Sequence, residues 1–197
     1  MKKSDSNKPD AASVSPEIRP AKTAIPPRLW DDEGLRQALE GLKPGFRFSF
    51  RTMQEGWVAA QALSKWYPDP DTAEMGIWEL IVNAIEHGNL GINNEEKSIF
   101  IAAGSLEEEI ERRLRLPVFR DRVVEVEFCR TSERNCLVVR DQGGGFDYQT
   151  FVDREAFTDR PNGRGIVLAR DLAFDDLQYR GCGNEVIATC EFSETAG

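Results

Sequence analysis

Histidine is almost absent. His87 is the single one in 197 residues, which excludes a His-rich metal centre. Cysteine is scarce too, and the four present (Cys129, Cys136, Cys182 and Cys190) form neither a CxxC pair nor a Cys/His zinc spacing. Scattered among apolar residues, they read as buried, reduced thiols. No apolar run approaches the roughly 18 residues a membrane span needs, and no apolar stretch follows the N-terminal lysines as in an export signal. The expectation is a cytoplasmic protein with no membrane partner. Basic charge is also short: 25 Lys and Arg stand against 34 Asp and Glu, a net charge of −9. Nucleic acid and anionic lipid reward clustered Lys and Arg, so neither is expected as a partner. What remains is ordinary for a soluble globular chain, with 40% hydrophobic and 30% charged residues. The length suits one domain with a core large enough to need no disulfide or metal staple.

Residues 1–28 differ from the rest. Pro9, Pro16, Pro20, Pro26 and Pro27 fall there among Ser, Lys, Asp and Ala, a composition that buries too little surface to offset its ordering entropy. The segment is expected to be a flexible tail, and residues 29–197 the folded domain. Leu35, Leu39 and Leu42 imply a short helix that Gly41 and Pro44 close. Phe46, Phe48 and Phe50 alternate with polar residues, the period of a strand. Trp57, Ala60, Leu63 and Trp66 mark a helix that Pro68 and Pro70 stop. A second helix, capped by Asp71 or Thr72, is expected to run through Met75, Trp78, Ile81 and Ile85 to a C-terminal cap at Gly88.

Residues 93–117 look like a variable helical insertion. Acidic residues from Glu107 precede Arg112, Arg113 and Arg115, the order that favours i,i+4 pairs on a solvated helix face. Three strands follow, Val123–Phe128, Cys136–Val139 and Val186–Phe192, with Leu177–Tyr179 as a short fourth. Another helix, Ile166–Leu172, lies between them. Helices early and an antiparallel sheet late imply an α+β fold, a two-layer sandwich with helices on one face of the sheet.

Three polar constellations interrupt this pattern. Asp141-Gln-Gly143-Gly-Gly145 follows a strand; its glycines permit close backbone approach to a ligand, and its aspartate can accept a hydrogen bond from an exocyclic amine. Alone, it is equally a plain turn. Asn162-Gly163-Arg164-Gly165 opens a helix, where exposed N–H groups suit a phosphate; no Walker A sequence exists anywhere in the chain. The run ELIVNAIEHG (79–88) spaces Glu79, Asn83 and His87 at i, i+4, i+8 on one helix face, with Glu86 beside it. An Asn carboxamide can offer oxygen to Mg²⁺ and a Glu carboxylate can take a proton, although a solvent-facing polar stripe would look the same.

Their order is more specific than any one of them. An E-x-x-x-N helix, a D-x-G-x-G loop and a G-x-G helix start resemble the N, G1 and G2 boxes of the GHKL ATPase superfamily (gyrase, heat-shock chaperone, histidine kinase, MutL), over roughly residues 46–192. The wording ELIVNAIEHG looks most like the bacterial anti-sigma-factor serine/threonine kinases of partner-switching systems. The resemblance implies a Bergerat-type sandwich and ATP with Mg²⁺ as cofactors. It implies Asn83 as the Mg²⁺ ligand, Asp141 as the adenine acceptor between Gly143 and Gly145, and Gly163 and Gly165 as phosphate donors. Asn162 would belong to the closing loop, and Glu79 would be the general base toward a partner's hydroxyl. Arg160 and Arg164 are expected as cations near the transferred phosphoryl group, and His87 as a structural residue rather than a phosphoacceptor. The implied partners are a STAS-domain antagonist as substrate, a sigma factor or other regulator as sequestered target, and a second copy in a homodimer. The competing readings are a nucleotide-dependent sequestering module without phosphotransfer, and a histidine-kinase-type catalytic domain acting in trans.

Overall fold

Phe46, Phe48 and Phe50 all point to one side of a strand, and each is 1% exposed. The computed structural model describes residues 23–24, 34, 37, 39, 44–146 and 173–192. Among these, six strands form one sheet: β1 (Thr23–Ala24), β2 (Phe46–Phe50), β3 (Val124–Arg130), β4 (Arg134–Arg140), β5 (Asp176–Arg180) and β6 (Glu185–Glu191), in the order β1-β2-β3-β4-β6-β5. β2 to β6 pair antiparallel throughout, while β1 pairs parallel to the start of β2. Thr23–Ala24 belongs to the stretch expected to be tail, so sheet pairing begins before the expected domain start at residue 29.

The inner face of the sheet carries Phe128, Val126, Leu137, Val139, Val186 and Ala188, all buried, beside the β2 phenylalanines. The ring centroids of Phe46 and Phe128 lie 5.5 Å apart and those of Phe48 and Phe50 5.9 Å apart, within the range of favourable aromatic packing. Two helices cover this face: α1 (Met53–Ser64) and α2 (Pro70–Val82). Gly56 lets them approach, since a Cβ there would sit 2.6 Å from Ile81 Cγ2. Gly34, Gln37 and Leu39 are helical, where the leucine spacing placed a short helix, and Leu39 joins the core. The two-layer α+β sandwich is therefore as the sequence implied.

Local signals place the helix starts. Thr52 and Glu55 form a reciprocal capping box on α1. α2 is capped by Asp69, not by Asp71 or Thr72. Its carboxylate accepts from Thr72 N at 3.3 Å and from Thr72 Oγ1 at 2.6 Å, and Pro70 occupies the first turn. The expected cap at Gly88 is also corrected. The helix continues past Val82 as a π-helical segment, Asn83–Asn89, with Leu90 N donating to Ile85 O at 2.9 Å.

The insertion is two helices, α3 (Asn94–Ala103) and α4 (Leu106–Leu114). α4 is not a wholly solvated charge run. Glu107, Glu108 and Glu111 face solvent, but Arg113 is buried. Its guanidinium donates to Glu109 Oε1 (2.7 Å), Glu96 Oε1 (2.9 Å) and the Leu90 carbonyl (3.0 Å). The thiols are corrected likewise: Cys136 is buried, Cys129 and Cys190 are half-buried, and Cys182 is exposed in the β5–β6 turn. All four are free.

Candidate nucleotide site

The site is built where the π-helical end of α2 meets the loop after β4. A π segment closes i→i−5 bonds and is uncommon except near functional sites. Here it carries Asn83, Glu86, His87 and Gly88. Its wider turn changes the phase after Asn83, so Glu79, Asn83 and His87 do not continue as one α-helical stripe. Glu86 becomes the deeply buried member at 3% exposure, while His87 turns toward backbone. His87 Nδ1 lies 2.5 Å from the Ile92 carbonyl. A carbonyl can only accept, so Nδ1 carries the proton. Burial lowers the imidazole's pKa, and the Ile92 hydrogen bond opposes this in part. The half-buried ring is thus engaged with backbone.

Gly88 makes the helix–loop contact possible. A Cβ at Gly88 would fall 2.3 Å from Asp141 Cγ, and one at Gly143 would fall 2.1 Å from the Gly88 carbonyl oxygen. Helix and loop touch backbone to side chain, with no room for a methyl group on either. Asn89 secures the junction: its Oδ1 accepts from Gln142 N at 2.7 Å, and its carbonyl accepts from Arg122 Nη1 at 2.9 Å. On the far side, Gly145 has φ +76° and packs against Cys182, whose carbonyl accepts from Phe146 N at 3.0 Å. A Cβ at Gly144 would meet no atom of the described residues within 4 Å.

Asp141 ends β4 with its Oδ1 accepting from Gly143 N at 2.8 Å. Burial pushes its carboxyl up to about 6, against the pull of the Gly143 N–H and of Arg122. Asp141 in turn adds to the burial that raises the Tyr179 phenol. Tyr179, from β5, stacks edge-on against Phe146 with centroids 5.3 Å apart. A half-buried acceptor whose charge reaches the Tyr179 phenol suits a heteroaromatic base with an exocyclic amine.

Glu79 lies one helical turn before Asn83 and is half-buried. Burial raises its carboxyl, Lys97 lowers it and Glu86 raises it further. Among the described residues no hydrogen bond or ion pair engages that carboxylate. The Asn83 Nδ2 is buried with no hydrogen-bond partner among the described residues, so that donor is not spent within them. A hard-oxygen ligand beside a carboxylate fits Mg²⁺ with a nucleotide. A separate polar cavity of about 280 Å³, bordered by Glu125, Arg140, Asp141 and Glu185, does not include Glu79 or Asn83.

The structure sets Gly88 against Asp141 and Gly143, with Asn83 and Glu79 earlier on the same continuous helix, and packs Gly145 against Cys182. Asn162, Gly163, Arg164 and Gly165, with Arg160, lie outside the described residues. Sequence reasoning missed the close contact at Gly88, the Tyr179 phenol, and Asn89. For Gly88 a signal existed in its position directly after the Asn helix. For the other two, the relevant contacts cross the sheet and leave no local pattern.

A family model described as histidine kinase-like ATPase domain matches residues 57–190. The chain belongs to this family. The match runs from α1 into β6 and takes in both Asn83 and Asp141, so the chain is a GHKL-type ATPase domain. No curated protein matches the chain. Among the described residues no helix of this ATPase domain is long and apolar enough to cross a membrane.

Proposed function

We propose that this domain is a cytoplasmic Mg-ATP-dependent serine/threonine kinase that phosphorylates a STAS-type antagonist in a partner-switching pathway, alternating between it and a sequestered sigma factor or other regulator. The observation that carries the reading is Glu79. A half-buried carboxylate is usually engaged by a partner, yet this one has no hydrogen bond or ion pair among the described residues and stands one turn from Asn83. That is the placement of a group kept free to accept a proton.

In this reading Asp141 accepts the adenine amino group and so selects the base. Gly143 and Gly145 hold the loop close enough for that contact. The Asn83 carboxamide oxygen is the Mg²⁺ ligand, and the ion, bound with the phosphates, offsets charge on the transferred phosphoryl group. The Glu79 carboxylate takes the proton of the partner's serine or threonine hydroxyl as that oxygen bonds to the γ-phosphorus. The bond from phosphorus to the β,γ-bridging oxygen breaks, and ADP leaves with the electron pair. Asn162, Gly163, Arg164 and Gly165 complete the phosphate side in the same proposal.

The test is phosphotransfer from γ-labelled ATP with Mg²⁺ in lysate of the source organism, beside Glu79→Ala and Asp141→Asn. An acid-stable label on a small protein, lost in both variants, is the expected result. An acid-labile label would shift the assignment to histidine phosphorylation in trans. ATP binding without any label would leave a nucleotide-dependent sequestering module.

A further inference from the structure

Helices α3 and α4 lie in the segment that the sequence left outside the site, yet they send a charge into it. α3 starts with a capping box: Asn93 Oδ1 accepts from Glu96 N at 2.9 Å and Glu96 Oε2 accepts from Asn93 N at 3.0 Å. One residue later, Lys97 Nζ lies 2.6 Å from Glu86 Oε2. The side chains of Lys97 and Glu86 are 22% and 4% exposed. The contact is a meeting of charges across two elements, not a surface pair of neighbours in sequence.

Apolar burial does not hold α3 there. None of its residues is fully buried, and Ile99 and Ile101 are 59% and 54% exposed. Charge holds it: Arg113 of α4 grips Glu96 while its other nitrogens reach Glu109 and the Leu90 carbonyl. The capping box and the Arg113 hub fix the first turn of α3, and that turn is what carries Lys97 to Glu86.

Glu86 poses an electrostatic problem for a nucleotide site. It and Glu79 are seven residues apart on one continuous helix and flank Asn83, and Glu86 raises the Glu79 carboxyl through space. Two carboxylates beside the place where a triphosphate binds repel it, most strongly where burial keeps water out. Burial lowers the pKa of the neighbouring His87, which disfavours a compensating charge there.

We propose that Lys97 is a positioning residue for nucleotide binding: by cancelling the charge of Glu86 it leaves Glu79 without a second negative neighbour and makes the Asn83 face tolerant of a triphosphate. The inference rests on the ATP-site reading of Asn83. It makes α3 a working part of that site instead of an appendage. Lys97 offsets negative charge at Glu86 and at Glu79, so its effect is expected on ligands that carry phosphate.

The measurement is calorimetric binding of MgATP and of adenosine to the full chain, as wild type, Lys97→Met, Lys97→Arg, Glu86→Gln and the double variant Glu86→Gln/Lys97→Met. Lys97→Met is expected to weaken MgATP about tenfold or more while adenosine stays within about twofold. Lys97→Arg should hold close to wild type. The double variant, which removes both charges, should return to within about threefold of wild type. Equal loss for adenosine and MgATP, no loss for either, or a double variant no better than Lys97→Met would each overturn the proposal. If Lys97→Met fails to fold, Glu86→Gln alone decides, because it must bind MgATP at least as tightly as wild type. A wild-type chain that binds no MgATP would sink the ATP-site reading itself, which separates that failure from failure of Lys97.

Discussion

Gly88 and Asp141 face each other at a distance that admits no methyl group, and the consequence is testable at single positions. Gly88→Ala drives its Cβ into the Asp141 carboxyl, so MgATP affinity is expected to fall about tenfold or more in a calorimetric titration. Gly144→Ala should change binding by less than about twofold, since a Cβ there would meet no atom of the described residues within 4 Å. Equal effects of the two would contradict the geometry. Asp141 also sets a pH dependence. Its carboxyl is pushed up from 3.8 to about 6, so the folded chain holds that proton more tightly than the unfolded chain does. Ionising it therefore costs folding stability as pH rises between these values. The adenine amine needs the ionised acceptor, so nucleotide affinity should fall as pH drops through about 6. Asp141→Asn should bind weakly, with that pH step gone. A wild-type affinity that is flat between pH 5 and 7 (about one unit either side of the shifted value) would rule this out.

Among the elements, the hinge between success and failure of sequence reasoning is α2. Its apolar spacing announces the helix, but neither the Asp69 cap nor the π-helical continuation over Asn83–Asn89 is read from residue order. An i→i−5 turn has no propensity signal of its own; it forms because Ile85 and Leu90 are both buried and Gly88 must meet Asp141. α4 teaches the same lesson with charge. Glu and Arg in that order announce a helix, and most of these side chains face solvent. Which one turns inward is decided by the Leu90 carbonyl and Glu96 waiting for Arg113. Arg113→Ala should therefore release α3 and α4 together. Amide exchange across residues 94–114 is expected to lose protection while β3, β4 and β6 keep theirs. Protection unchanged in those helices would show that the hub does not hold them.

For the molecule as a whole, the core and the ligand make separate demands. Phe128 is fully buried against Phe46, Trp66 and Tyr67, so Phe128→Ala should cost about 3–5 kcal/mol in a denaturant titration. A loss below about 1 kcal/mol would mean the inner face of the sheet is not packed as described. MgATP at 100 times its dissociation constant should add about 2.7 kcal/mol to stability. For a chain of this size that raises the melting midpoint by roughly 5–10 °C. The shift should vanish in Asp141→Asn, and one that persisted there would place the adenine elsewhere.

By itself the sequence determined the periodic parts: the Phe46–Phe48–Phe50 strand, the two covering helices, the antiparallel strands, and the order of Glu79, Asn83, Asp141 and the glycines, which together point to an ATPase domain. These follow from spacing along the chain, where side-chain direction repeats every two or 3.6 residues. The tertiary structure alone decided which glycine carries the helix–loop contact, that Tyr179 feels the charge of Asp141, that Arg113 is buried, and that Lys97 answers Glu86. Each of these joins residues on different elements, and the energy of such a contact depends on distance and burial in space, which adjacency in the chain does not encode.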